Sequence, residues 1–205
     1  MNDKLVALTF DDGPSNVTEN VLDVLENKKI VGTFFLIGNQ ITENMIDTLK
    51  RELSLGCEIA NHSYTHSDMS IMDEQVIKDE ISKTSALIKK YLNVEPKFFR
   101  PPYISLSDTM YASISLPFIS GYGCEDWDSN VLADERIEKV LSQVKDGSII
   151  LLHDLENNHE TVKALPVIID KLRKDGYSFV TVSKLFEKKN VNPNVQNKIW
   201  SNVFE

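Results

Sequence analysis

Apolar positions in this chain come in short continuous runs that alternate with longer stretches of helical period. Residues 5–14, Leu-Val-Ala-Leu-Thr-Phe-Asp-Asp-Gly-Pro, form an unbroken strand-forming run that stops at two adjacent carboxylates and a Gly-Pro turn. Successive side chains leaving a strand point in different directions, so Asp11 and Asp12 are placed to serve two separate purposes. Asn16 to Glu19 then offer caps, and Val21, Leu22, Val24 and Leu25 give one apolar face to a helix ending near Lys29. The alternation repeats, with further strands predicted at 32–37, 58–60, 97–100, 117–120, 148–152 and 178–181, and helices at 42–55, 73–92, 107–114, 133–144 and 161–174. Pro101-Pro102 cuts the fourth strand, and Pro166 is expected to kink the helix at 161–174 or mark its true start. A short helix through Lys184-Leu185-Phe186 and an Asn-rich tail containing Trp200 complete the chain.

Seven apolar strands alternating with helices imply a parallel sheet, because only crossover helices join parallel strands economically. The fold expected is α/β, a closed or nearly closed (β/α) barrel of about seven parallel strands, with a doubly wound open sheet as the alternative. At 205 residues, 41% of them hydrophobic, residues 1–205 are expected to form a single domain with a full core. The net charge of -9, from 22 basic against 31 acidic residues, argues against a nucleic-acid partner and favours a neutral or cationic substrate. No apolar run approaches the length of a membrane span. Met1-Asn2-Asp3-Lys4 leads straight into the first strand, so the protein is expected either to be cytoplasmic or to have an export segment outside this chain. Cys57 and Cys124 read as ordinary buried thiols, with one bridge between them left open.

The unusual polar clusters each follow a strand: Asp11-Asp12 the first, His62 and His66 the third, Arg100 the fourth, Asp126-Trp127 the fifth after a short gap, and His153-Asp154 the sixth. In a barrel these all lie at the carboxyl ends of the strands, the rim that carries chemistry in such folds. Independent turns have no reason to share a rim. His62 and His66 stand four apart, a spacing that puts two imidazoles on one face of a helical turn within reach of one ion. With a carboxylate from Asp11-Asp12 they make a two-His, one-carboxylate set that leaves positions open for water.

Thr9-Phe10-Asp11-Asp12-Gly13-Pro14, His62-Ser63-Tyr64-Thr65-His66, Arg100-Pro101-Pro102-Tyr103, Asp126-Trp127 and Leu151-Leu152-His153-Asp154 together resemble the five ordered motifs of the polysaccharide deacetylases, carbohydrate esterase family 4, also called the NodB homology domain. The resemblance runs over essentially the whole chain and implies a distorted (β/α) barrel with fewer than eight strands. It implies that Asp12, His62 and His66 bind one divalent metal, zinc or cobalt, and that Asp11 is the general base. Arg100 is implied to hold Asp11 ionised and oriented. The backbone N–H of Tyr103, with the metal, is implied to stabilise a tetrahedral oxyanion. His153 is implied to be the general acid, with Asp126 beside it favouring its charged form. Trp127 and Leu151 are implied to wall an acetyl-methyl pocket. Asp154 reads as a residue that orients a loop, and His159, in a polar run, as solvent-exposed.

One departure stands out: Ile104 follows Arg100-Pro101-Pro102-Tyr103 where the family usually has Gly, and a β-branched residue resists positive φ. The loop carrying the oxyanion donor is therefore expected to differ in shape. The function implied is removal of acetyl groups from a polysaccharide: N-acetyl from chitin or peptidoglycan-type glycans, which is preferred, or O-acetyl from xylan. A non-catalytic glycan-binding module is the second class; Asp11, Arg100 and His153 speak against it, since binding alone needs none of them. A metal-dependent phosphohydrolase would need more basic residues near the site than Arg100. The partner expected is an acetylated polysaccharide or oligosaccharide, the protein a monomer, and its place secreted or cell-wall associated with the export signal absent from this chain.

Overall fold

The computed structural model describes residues 4–205, so the expectation drawn from Met1-Asn2-Asp3 lies outside the described residues. In chain order the elements are β1 (Lys4–Gly13), α1 (Thr18–Lys28), β2 (Thr33–Leu36), α2 (Ile46–Ser54), β3 (Glu58–Asn61), α3 (Glu74–Leu92), α4 (Asp108–Ser113), β4 (Phe118–Ile119), β5 (Tyr122–Gly123), α5 (Ala133–Gln143), β6 (Ser148–His153), α6 (His159–Lys174), β7 (Tyr177–Phe179), α7 (Val182–Lys189) and β8 (Ile199–Trp200). Five strands pair in the order β3-β2-β1-β6-β5, β7 pairs with the first residues of β1, and β4 pairs with β8. The paired strands are parallel throughout. Two single-residue links join these pieces. Phe99 bridges Asn61 on one side and Phe118 on the other, and Ser148 bridges Asn202 in the tail. The sheet is thereby drawn into a distorted barrel.

The strands read as continuous apolar runs because both of their faces are covered. Along β1, Leu5 and Ala7 belong to the cluster inside the barrel, with Phe35, Ala60, Phe98 and Ile149. Val6, Leu8 and Phe10 pack outward against the helices, with Phe34, Leu36, Ile150, Leu152 and the α6 residues Leu165, Ile168, Ile169 and Leu172. By the same alternation, Thr9 and Asp11 of β1 face inward. They pair in register with Leu151 and His153 of β6.

Several expectations are corrected. The fourth strand at 97–100 reduces to the single bridging residue Phe99, because Pro101 and Pro102 have no N–H with which to extend a ladder. The helix at 42–55 begins as a 3-10 turn, Glu43–Met45, before α2 proper. Pro166 lies inside α6, which opens at His159, and so does not mark the helix start. The strands β5 and β8 were not foreseen, since two residues in a polar context carry no apolar run. β8 nevertheless fills the gap between β4 and β6: the Trp200 carbonyl accepts from Ser120 N–H at 2.8 Å and the Ser201 carbonyl from Ile149 N–H at 3.0 Å. Cys57 and Cys124 are separate buried free thiols, which burial pushes up to about 11 and about 12.

Candidate active site

Three inward positions at the carboxyl end of the barrel meet around Asp11. Arg100 is fully buried at 0% exposure, its guanidinium lying 4.2 Å over the Phe35 ring. Its Nη1 donates to Asp11 Oδ1 at 2.6 Å and to Thr9 Oγ1 at 2.8 Å, and its Nη2 donates to the Ser120 carbonyl at 2.6 Å. Burial pulls the Arg100 pKa down, and the Asp11 charge and hydrogen bond oppose that pull. On the other side of Asp11, its register partner His153 is held by a buried carboxylate. Asp126 Oδ1 is paired with His153 Nδ1 at 2.8 Å, and Asp126 Oδ2 accepts the His153 backbone N–H at 2.8 Å. This double hold fixes the imidazole with Nε2 as its free end. Burial opposes the charged imidazole, but Asp126, by its charge and its hydrogen bond, outweighs it, with Asp11 and Asp12 adding to the effect. His153 is raised to about 9.

Asp12 leaves the strand differently. Its φ is 70°, a left-handed conformation, and the β1–β2 register shifts between Asp11 and Gly13. The turn swings its carboxylate away from Asp11 towards the loop after β3, where Oδ1 lies 3.3 Å from His62 Nε2 and 3.2 Å from His66 Nε2. One donor atom from each of the three residues lies within 4.8 Å of the others. The two histidines are not on a helical turn. They stand on an irregular loop in which Ser63 (φ 66°) and His66 (φ 58°) are left-handed, bringing the ring centroids to 4.9 Å. His62 Nδ1 donates to the Arg100 carbonyl at 2.7 Å, which fixes the tautomer and leaves Nε2 as a lone pair facing the cluster.

The donor set fits a divalent ion. Asp12 Oδ1 is buried without a hydrogen-bond partner, and two imidazole lone pairs converge beside it. Burial tends to raise the Asp12 carboxyl, but the neighbouring imidazoles, His62 first with His153 and His66 behind it, hold it down to about 2. Burial and the neighbouring His62 lower His66.

Residues without any motif hold this loop. Glu80 on α3 is buried, and its Oε2 accepts from Tyr64 N–H at 2.9 Å, Thr65 N–H at 2.8 Å and Thr65 Oγ1 at 3.1 Å. Thr84 Oγ1 donates to the Ser63 carbonyl at 2.8 Å, and Gly38, whose N–H meets the same carbonyl at 2.9 Å, has no room for a Cβ because Thr84 Oγ1 would lie 2.2 Å away. With its amide turned so that the nitrogen faces the two acceptors, Gln40 donates to the Asp12 carbonyl at 3.1 Å and the Pro14 carbonyl at 2.9 Å. Asp154 lies under the Asp11–Pro14 turn. Its N–H donates to the Asp11 carbonyl at 3.0 Å, and its Oδ2 accepts from Thr18 Oγ1 at 2.5 Å. A Cβ on Gly13 would sit 2.4 Å from Oδ2. Burial raises the Asp154 carboxyl to about 7, with Asp12 and Asp11 adding to it and the Thr18 bond opposing. His159 is exposed, as its polar setting predicts.

The remaining residues line the rim unevenly. Tyr103 is 68% exposed and its ring meets that of His66 edge to face, with centroids 4.8 Å apart. The short turn at Pro102–Ile104 uses the amides of Ile104 and Ser105, donating to the Pro101 and Pro102 carbonyls at 3.0 and 3.1 Å, and not that of Tyr103. Ile104 takes φ 53° despite its branched side chain, so the left-handed backbone that such a residue resists is adopted here. Leu151 is buried on β6, whereas Trp127 is 63% exposed.

Residues 1–117 match the family model described as polysaccharide deacetylase, and the chain belongs to that family. It is 54% identical over 202 residues to a bifunctional xylanase/deacetylase from Pseudobutyrivibrio xylanivorans, covering 98% of this chain and 34% of that protein. The chain thus spans about a third of that curated relative's length. Among solved structures, the Xyl-CE4 domain of a multidomain xylanase from the hindgut metagenome of Trinervitermes trinervoides superposes with a TM-score of 0.98 at 52% identity, covering 99% of both chains. A family 4 acetyl xylan esterase from Clostridium thermocellum, in complex with a cobalt ion, gives a TM-score of 0.94 at 39% identity over 98% of this chain and 99% of that one.

Proposed function

We propose that this rim catalyses metal-dependent hydrolysis of acetyl groups on a polysaccharide, with Asp11 as general base and His153 as general acid. The observation that carries the reading is the flanking of the Asp12–His62–His66 cluster by two oriented pairs, Asp11–Arg100 and Asp126–His153. Asp12, His62 and His66 are the residues that would hold the ion. When bound, a zinc or cobalt ion supplies polarisation of the acetyl carbonyl and lowers the pKa of water from about 15.7 towards 7.

The protein groups then divide the proton traffic. Asp11, fixed by Arg100 and 3.8 Å from His62 Nε2, takes the proton of the attacking water at Oδ2. The amide of Tyr103, which the turn leaves unused, donates to the developing oxyanion. As the tetrahedral carbon collapses, His153 Nε2 delivers its proton to the departing oxygen or nitrogen, giving acetate and the free hydroxyl or amine. His153, raised to about 9, keeps that proton across neutral pH. Leu151 and Trp127 are the candidate walls for the acetyl methyl.

For the polymer, O-acetylated xylan is supported by the xylan-related names of the similar proteins. An N-acetylglucosamine polymer, favoured by the sequence alone, is the second reading, because amide and ester share this machinery. Export as the catalytic portion of a longer product accords with a polymeric substrate. Among the described residues no helix is long and apolar enough to cross a membrane.

Acetate release should be followed on acetylated xylan and N-acetylglucosamine oligomers side by side, before and after chelation and on return of zinc or cobalt. Release that chelator removes and metal restores is expected, with an alkaline limb in kcat/KM that disappears in His153→Ala. Metal binding without acetate from either substrate would replace this reading with the glycan-binding module.

A further inference from the structure

The His153–Asp126 pair has a continuation that no motif announces. Arg136 on α5 is 1% exposed, and its hydrogen bonds go to neutral acceptors: Nε to the Val131 carbonyl at 2.8 Å, Nη2 to the Asp128 carbonyl at 3.1 Å, and Nη1 to Asn158 Oδ1 at 2.5 Å and Thr161 Oγ1 at 2.7 Å. Thr161, buried at the start of α6, is also 2.8 Å from Asp126 Oδ2. A guanidinium can only donate, an ionised carboxylate can only accept, and a hydroxyl has one proton, so the direction of this chain is fixed: Arg136 donates to Thr161, and Thr161 donates to the Asp126 carboxylate. Asn158 makes a second arm, accepting from Arg136 through Oδ1 and donating through Nδ2 to the His153 carbonyl at 2.8 Å. One buried cation therefore reaches both the carboxylate that orients His153 and the backbone that carries it.

Resting on the reading of His153 as general acid, we propose that Arg136, acting through Thr161 and Asn158, is a positioning residue that holds Asp126 in the geometry in which His153 delivers its proton. A guanidinium buried this deeply among carbonyls is costly unless an anion balances it, and Asp126 stands one hydroxyl away. The arrangement is also a restraint on charge. Asp126 acts on His153 directly, with Asp11 and Asp12 behind; in the proposed relay Arg136 draws on the Asp126 charge from across Thr161. Glu160 lies near Arg136 and Cys124 near Asp126. Removing the hydroxyl leaves all of these in place and breaks only the link.

The test compares Thr161→Val with Thr161→Ser. In metal-loaded enzyme, Thr161→Val should lower kcat roughly tenfold with KM unchanged, and shift the alkaline limb up by about half a pH unit, because Asp126 then gives its charge to His153 unshared. Thr161→Ser should recover most of the turnover and the original limb. Equal losses in the two variants, or a Thr161→Val enzyme with the original kcat and limb, would overturn the proposal. The same comparison read by imidazole NMR titration of His153 in metal-free protein needs no turnover. A midpoint raised in Thr161→Val and restored in Thr161→Ser supports the relay, and a midpoint unmoved in both rejects it. If the unmodified enzyme releases acetate from no substrate, the deacetylase reading fails, and the NMR titration still decides the relay.

Discussion

The two halves of the rim are built by different means. Asp11, Arg100 and His153 stand on or beside strands, point inward by simple alternation, and are fixed by short bonds to buried partners. Asp12, Ser63 and His66 instead depend on left-handed backbone, and the proposed metal cradle is held by a helix, α3, that contributes none of its residues. The half proposed to handle protons is built into the barrel itself. The half proposed to hold the metal is a loop clamped from outside, and its geometry is only as good as the clamp.

That difference sets a scale of consequences. Exchanging Asp11→Asn with Asp12→Asn should split the halves most sharply. The first should lower kcat about 10²- to 10⁴-fold with metal still bound by calorimetry, and the second should lose metal and turnover together. If Asp11→Asn loses the metal, the two carboxylates have each other's roles. Next in size, Glu80→Ala should weaken metal affinity about 10- to 100-fold in a chelator competition, since it releases the Tyr64 and Thr65 amides, while leaving the titration of His153 unchanged. An affinity equal to that of the unmodified protein would mean that the loop holds its shape without the clamp.

The smallest effect concerns a carboxyl belonging to neither half. Glu52 on α2 is fully buried with both oxygens unpartnered, and burial, then the Asp154 and Glu19 charges, raise its pKa well above 4.5. A raised carboxyl stabilises the fold fully below its unfolded pKa and loses that contribution as pH rises through the folded value. Glu52→Gln has no proton to lose, so its advantage over the unmodified protein should grow from pH 5 to pH 8, reaching about 1–3 kcal/mol in denaturant unfolding. A difference independent of pH would place the proton elsewhere.

The strand-borne half was legible in advance because period-2 alternation fixes where a side chain points once the strand is recognised. Its supports were less so. Arg136 falls among the inward residues Ile137 and Val140 of α5, Glu80 between Ile77 and Thr84 of α3, and Glu52 beside Leu49 of α2. A charge on an apolar helical stripe is the signal that marks all three, and it says that the group is buried without saying what it meets. The spacing of His62 and His66 pointed to two rings that the structure does bring together, but not on a helical turn: a loop with two left-handed residues also brings positions four apart together.

By itself the sequence determined the alternation of the longer strands and helices and the placing of five polar clusters after strands, because these follow from periodicity and from the parallel connection of strands. Only the tertiary structure decided how the barrel closes, through Phe99 and the tail at Trp200 to Asn202, and which buried charges answer one another. Those depend on contacts between residues far apart in the chain. A two-residue strand or a lone inward arginine has no local pattern from which such a contact is read.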